Sequence, residues 1–308
     1  MDFLIFGGNG FIGSHLVDSL RSRGHDVSVF DLFDGSRPHW EAKDVTCISG
    51  NFLNVAEVAS ALHGHTNVVH LLSLTDPATS QADPTVDIRA NLLSSVTLFQ
   101  ACVQANVKHV YFASSGGTVY GVQEDKQFFK ETDPTYPISP YGIGKLSIEH
   151  YLDYFRTSHG LNSTIFRISN PYGTRQNPNK RQGIIPIFLQ NILHNKPLTI
   201  MGDGSMTRDY IYVQDLAKLM AHAMTTDNPH HVYNLGSGTS TSVNDIVHAI
   251  TDVVDYSPVC EHIPAPASYV PHVGLDISRW ITDFGEMSLK PLHEGIQATW
   301  NEISSHVA

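Results

Sequence analysis

Two side chains in the stretch 139-SPYGIGKLSIEHYL-152, Tyr141 and Lys145, could handle a proton as a pair, because they stand four residues apart. On a helix that spacing puts both on one face. Ser139 followed by Pro140 reads as an N-cap with proline at the first helical position. Leu146, Ile148, Tyr151, Leu152 and Phe155 supply the apolar face that such a helix needs. The pair is then either an ordinary surface couple or a phenol whose acidity is changed by a neighbouring cation.

A second group of residues suits phosphate. Gly7-Gly8-Asn9-Gly10-Phe11-Ile12-Gly13 follows the first apolar run and opens the first helical pattern. Gly7 and Gly10 permit a tight turn and the close approach of a pyrophosphate; Gly13 lets the helix pack near the strand, with the diphosphate at the helix N-terminus. Asp31 ends the second apolar run, 18 residues after Gly13. A carboxylate there binds both ribose hydroxyls of NAD and repels the extra phosphate of NADP. Arg37, close by in sequence, keeps NADP in consideration.

These residues need a scaffold, and short apolar runs alternating with helix-length segments predict one. Phe3–Phe6, Val27–Phe30, Val45–Ile48, Val68–Leu72, Val110–Ala113 and Thr164–Arg167 read as buried strands, with helices at Phe11–Arg23, Val86–Ala105 and Tyr141–Thr157. The alternation predicts an α/β fold: a Rossmann-type, doubly wound parallel sheet covered on both faces. After Asn170 the character changes. Residues 171–183 are rich in proline, glycine, asparagine and arginine and read as a long functional loop. Helices follow at Ile184–His194, Leu216–Met224, Val243–Val254 and His293–Ile303, with strands at Tyr210–Val213 and Val232–Leu235. The expected organisation is a cofactor-binding domain over 1–170 with a return segment near 210–236. A smaller, mixed α/β substrate-binding domain over 171–308 is interleaved with it.

Composition excludes several classes. The net charge of −11 argues against a nucleic-acid surface. The three cysteines, Cys47, Cys102 and Cys260, form neither a disulfide framework nor a CxxC metal motif, and the histidines show no HExxH spacing, so no metal is expected. No stretch reaches the roughly 20 apolar residues of a membrane span, and the N-terminus lacks a basic signal-peptide region. A soluble protein of a reducing compartment, the cytoplasm, with no membrane partner, is the expectation.

The segments GGNGFIGS, VVHLLSL, ASSGGTVYG, SPYGIGK, FRISNPYG and GDGSMTRDYIYVQDLA occur in an order that resembles the extended short-chain dehydrogenase/reductase family, and within it the UDP-sugar 4-epimerases. The resemblance runs from Phe3 to about Trp300. It implies NAD as cofactor, Tyr141 as acid/base and Lys145 as the cation that tunes it and holds the nicotinamide ribose. A phenol of ordinary pKa, about 10, is a poor base at neutral pH, and a nearby ammonium group together with the cationic nicotinamide lowers it. The resemblance further implies cofactor contacts at Gly7, Gly10, Phe11, Ile12, Gly13, Asp31, Ser36, Asn51, Phe52, Leu71, Ser73, Asn91 and Ser114. Substrate contacts are implied at Asn170, Gly183, Ile184, Thr199, Met201 and Arg208. Asn170 and Arg208 would meet the phosphates or sugar, and the other four would enclose the uracil. A homodimer joined through the helices at Val86–Ala105 and Tyr141–Thr157 is implied as well.

The chain also departs from the family pattern. The usual catalytic hydroxyl position is Gly116, so Ser115, Thr118 or a water must supply that hydrogen bond. Dehydratases carry an Asp-Glu pair where this chain has Gly117 and Thr118, and neither residue can transfer the required protons. The second diphosphate arginine is replaced by Pro266. Losing one charged clamp costs about 1.5–3 kcal/mol if unreplaced, and Arg175, Lys180 or Arg181 are the compensating candidates. Asn51 replaces an aspartate at the adenine edge, and Thr75 replaces a lysine near the substrate phosphate. Val273 aligns with a gate against N-acetylated sugars. The expected activity is inversion of a UDP-hexose or UDP-N-acetylhexosamine at carbon 4. The alternatives are a nucleotide-sugar dehydratase or reductase, or a non-catalytic NAD-binding regulator.

Overall fold

The computed structural model describes residues 1–33, 38–123, 126–177, 183–265 and 270–305. Its main sheet has seven strands, numbered here in chain order: β1 (Asp2–Phe6), β2 (Asp26–Asp31), β3 (Thr46–Ser49), β4 (Asn67–His70), β5 (His109–Ser115), β6 (Asn162–Ile168) and β7 (Val232–Leu235). Every pairing is parallel, in the order β7-β6-β5-β4-β1-β2-β3. The order reverses between β1 and β4, so a crevice opens at the carboxyl ends of those strands, where open α/β sheets bind ligands.

The sheet follows from β1 itself. Phe3 and Ile5 enter one core with Leu16, Leu20, Leu216 and Met220, whereas Leu4 and Phe6 enter the opposite core with Leu98, Phe99, Ile148 and Leu152. Successive strand residues point to opposite faces, and both faces are covered by helices, so an unbroken apolar run is what burial requires.

Three helices frame the crevice. Phe11–Ser22 follows β1, and Pro140–His159 runs from the Ser139 N-cap, which accepts from the Gly142 N–H, to Gly160 at φ +68°. The third differs from the single helix expected over Val86–Ala105. It begins at Pro84, passes through a π-helical turn at Ile88–Leu93 and continues as Ser94–Gln104. The fourth strand also stops at His70, two residues short of its expected end.

A second lobe is built on smaller sheets and a separate core of Ile185, Phe188, Leu189, Ile200, Ile246 and Ile296. The chain passes between lobes at several points. Phe128–Phe129 pairs with His272–Leu275 in the second lobe, and Val232–Leu235 returns to the edge of the main sheet beside β6.

Beneath the crevice lies a buried polar network. Arg167 on β6 donates to Glu149 at 2.7 Å and to the Tyr120 hydroxyl at 3.1 Å, and Tyr120 donates to Asn234 on β7 at 2.7 Å. The carboxylate beside it holds the Arg167 guanidinium charged against its burial. Removing one partner of a buried pair leaves the other uncompensated. Arg167→Met is expected to cost about 3–5 kcal/mol, and pairing it with Glu149→Leu should recover much of that loss, as read by urea unfolding.

Candidate active site

At the end of β1 the chain turns through Gly7 at φ +86°, the left-handed region that glycine enters without penalty. A Cβ at Gly13 would overlap the Gly7 carbonyl, and one at Gly8 would lie 2.7 Å from the Val29 side chain. The following helix therefore starts pressed against the turn. Gly10 is its N-cap and contributes no side-chain cap, so the first N–H groups, at Phe11 and Ile12, are left for an anion. Asp31 ends β2 beside this turn, accepting from the Asn9 N–H at 3.0 Å and the Leu32 N–H at 2.9 Å. A cradle free of Cβ atoms, open amide donors and a carboxylate at the end of the second strand together fit a dinucleotide.

One residue at this turn escaped the sequence reading. The His39 N–H donates to Asn9 Oδ1 at 3.0 Å, and its Nδ1 lies 2.9 Å from the Asn9 carbonyl. No motif spacing marks it.

The remaining expected cofactor residues are held in different ways. Asn51 is exposed and accepts from the Leu53 N–H, whereas the Phe52 ring is buried between Phe6 and His70. Leu71 follows β4 and donates its N–H to the Phe6 carbonyl, and Ser73 donates to the Thr75 carbonyl. Asn91 is buried, with Oδ1 accepting from the Leu74 N–H at 2.8 Å. Ser114 departs from the expectation that its side chain faces the cofactor, because its buried hydroxyl donates to Glu149. Ser36 and Arg37 lie outside the described residues.

Tyr141 and Lys145 share a helix face, with the Lys145 Nζ 5.7 Å from the centre of the phenol ring. Lys145 is buried, donates to the Ala113 carbonyl at 2.9 Å and lies 4.9 Å from the Phe112 ring centre. Burial pulls its pKa down to about 8 against the pull of Asp87 and Glu149. Burial pushes the Tyr141 phenol up to about 12; a hydrogen bond with Ser73 opposes the rise, and the Asp87 and Asp76 carboxylates add to it. The lysine by itself thus does not prepare a phenolate. An additional positive charge nearby would favour the phenolate, and an oxidised nicotinamide would carry one.

The loop after β5 explains the missing hydroxyl. A Cβ on Gly116 would lie 2.6 Å from Leu275 Cδ1 and 3.1 Å from the Arg167 carbonyl, so apolar side chain already fills that space. Two residues on, Thr118 Oγ1 is buried with no hydrogen-bond partner. A Cβ on Gly142 would sit 2.8 Å from the Thr118 carbonyl, which shows how closely this loop meets the start of the Tyr141 helix. Ser115 and Asn170 approach the same loop near Gly117.

On the substrate side, Asn170 Nδ2 donates to the Asp209 carbonyl at 3.0 Å. Thr199 and Met201 lie on the exposed face of their strand, and Gly183, at φ +94°, caps the helix that begins at Ile184. Arg208 donates to the carbonyls of Thr207, Val270 and Pro271, at 2.7, 2.6 and 3.4 Å. Val273 is buried against Val119, Tyr120, Phe129 and Leu275, a core position rather than an open gate. Arg175 does not replace the missing diphosphate arginine. Its guanidinium is bound to Asp18 at 2.7 Å and Glu41 at 3.3 Å. Pro266, Lys180 and Arg181 lie outside the described residues.

The chain is similar to known proteins over almost its whole length. Residues 3–236 match the model of the NAD dependent epimerase/dehydratase family. The chain is 32% identical to a putative UDP-glucose 4-epimerase of Methanocaldococcus jannaschii, covering 98% of each chain. It is 30% identical to a dTDP-4-dehydro-6-deoxyglucose reductase of Escherichia coli, covering 95% of this chain and 94% of that one. The fold superposes with a TM-score of 0.93 on a UDP-glucose 4-epimerase of Thermotoga maritima solved with UDP-glucose, at 31% identity and full coverage of both chains.

The Gly116 contact sets a packing limit. Gly116→Ser is expected to destabilise the fold by about 1–3 kcal/mol through overpacking, and Leu275→Ala in the same chain should relieve it, as measured by denaturant midpoints.

Proposed function

Because the chain belongs to the NAD dependent epimerase/dehydratase family, we propose that it inverts a UDP-sugar at carbon 4, acting on a UDP-hexose or a UDP-N-acetylhexosamine. The observation that carries this reading is the pairing of Tyr141 and Lys145 on one helix face, with the Lys145 Nζ 5.7 Å from the centre of the phenol ring. Bound NAD supplies the two-electron redox chemistry, which is returned within each turnover, and Gly7, Gly10, Gly13, Asp31 and Lys145 are the residues that would hold it.

The protein's own part is proton handling and positioning. Tyr141 as phenolate takes the proton from the sugar 4-hydroxyl and as phenol returns it, and Lys145 stabilises the phenolate before the first transfer and after the second. Thr118, whose buried hydroxyl lacks a partner, and Ser115 are the donors available to the sugar oxygen. Gly117 and Thr118 cannot move protons at neighbouring carbons, so the ketone formed at carbon 4 has no route to lose water. The diphosphate is assigned to Arg208 and Asn170, which requires the guanidinium to exchange some of its carbonyl bonds for phosphate oxygens.

Similarity to a dTDP-sugar reductase favours net reduction as a second reading. Incubation with UDP-galactose or UDP-N-acetylglucosamine, and separately with a 4-keto nucleotide sugar plus reduced dinucleotide, separates the two: inversion of the first pair leaves the cofactor balance unchanged, and reduction of the ketone consumes one reduced dinucleotide per product. We expect inversion, and Tyr141→Phe should lower kcat by about 10²–10⁴-fold, the range of acid–base catalysis. Stoichiometric consumption of the reduced cofactor with no inverted sugar would replace the epimerase reading.

Among the described residues no helix is long and apolar enough to cross a membrane, and a cytoplasmic location is part of the same proposal. So is a homodimer. Val86, Ile88, Leu93, Ile143, Tyr151 and Tyr154 are exposed on the two adjoining helical segments, 84–104 and 140–159. Sedimentation should give a mass of two chains, and Leu93→Asp should shift it to one.

A further inference from the structure

The reaction outlined above makes no use of Asp87. This residue ends the short helix Pro84–Asp87, immediately before the π-helical turn, a distortion frequent at functional sites. It is 3% exposed. Oδ1 accepts from Thr75 Oγ1 at 2.5 Å and from Asn91 Nδ2 at 2.8 Å. Oδ2 faces the other helix at Gly144, where a Cβ would overlap it. Gly144 stands directly before Lys145 and one turn after Tyr141, so the missing side chain admits a carboxylate to the start of the catalytic helix.

A buried carboxylate must be bonded or balanced. The groups facing the pair are few. Glu149, one turn beyond Lys145, is matched by Arg167 at 2.7 Å. Asp76 acts on Tyr141 and caps its own short helix. His70 stays neutral, its pKa held down to about 3 by burial and by the charge of Lys145. Phe112 and the Ala113 carbonyl complete the surroundings of Nζ. Asp87 acts on both Lys145 and Tyr141.

We propose that Asp87 is a positioning residue that keeps Lys145 protonated through space, with Thr75 and Asn91 aiming its carboxylate and Gly144 making room for it. The assignment rests on the reading of Tyr141 and Lys145 as the acid–base pair. A carboxylate there offsets the cost of burying the ammonium group and disfavours the phenolate. Removing its charge should therefore lower both titrations together.

The test uses the full-length protein with its lysine Cε carbons labelled, the Lys145 resonance being assigned by its loss in Lys145→Met. In Asp87→Asn, and in Gly144→Ala, which displaces the carboxylate while keeping its charge, the Lys145 midpoint should fall by about one pH unit. Both limbs of the pH–kcat profile should move the same way, with little change in KM. Unchanged Lys145 midpoints in both variants would overturn the proposal, and so would a lower rate with both limbs in place, which marks a merely structural role. If Asp87→Asn does not fold, Gly144→Ala and Thr75→Val decide the matter by the same readout. A shifted lysine in a protein that inverts no UDP-sugar would support the Asp87 assignment and refute the epimerase reading instead.

Discussion

Desolvation of one phenol and one ammonium group is the constraint to which the rest of this structure answers. Burial penalises both charged forms, driving the Tyr141 pKa up to about 12 and the Lys145 pKa down to about 8. Charging Lys145 and ionising Tyr141 both work against these shifts. The fold responds with fixed charges and dipoles at short range: the Ala113 carbonyl on Nζ, Glu149 one turn along the helix, and Asp87 across the gap left by Gly144.

These charges need partners of their own, and the partners come from distant parts of the chain. Glu149 is balanced by Arg167 from β6, which also holds Tyr120, and Tyr120 reaches Asn234 on β7. One continuous polar path thus joins the catalytic helix to the edge strand that returns from the second half of the chain. Its members are buried and bonded, as low-dielectric surroundings demand.

Leu275 fills the space that a side chain at Gly116 would occupy, and the strand that carries it pairs with Phe128–Phe129. A strand outside the main sheet therefore limits what the loop after β5 can carry at Gly116. Thr118 is left with a buried and unpartnered oxygen, a state that proteins tolerate when a ligand completes the bond.

Local patterns in the sequence determined a good deal. The alternation of apolar runs with helical segments specified a parallel sheet, Ser139-Pro140 marked a helix start, and the spacing of Tyr141 and Lys145 put them on one face. Each of these depends on neighbours in the chain, so each could be read there. Long-range proximity decided the rest: that Ser114 turns to Glu149, that Arg175 is spent on Asp18, that Leu275 excludes a side chain at Gly116, and that Asp87 lies against Gly144. Those pairs are 35, 157, 159 and 57 residues apart in the numbering. Burial and charge act through space, so the acidity of a side chain belongs to the folded molecule, whereas its position on a helix face belongs to the sequence.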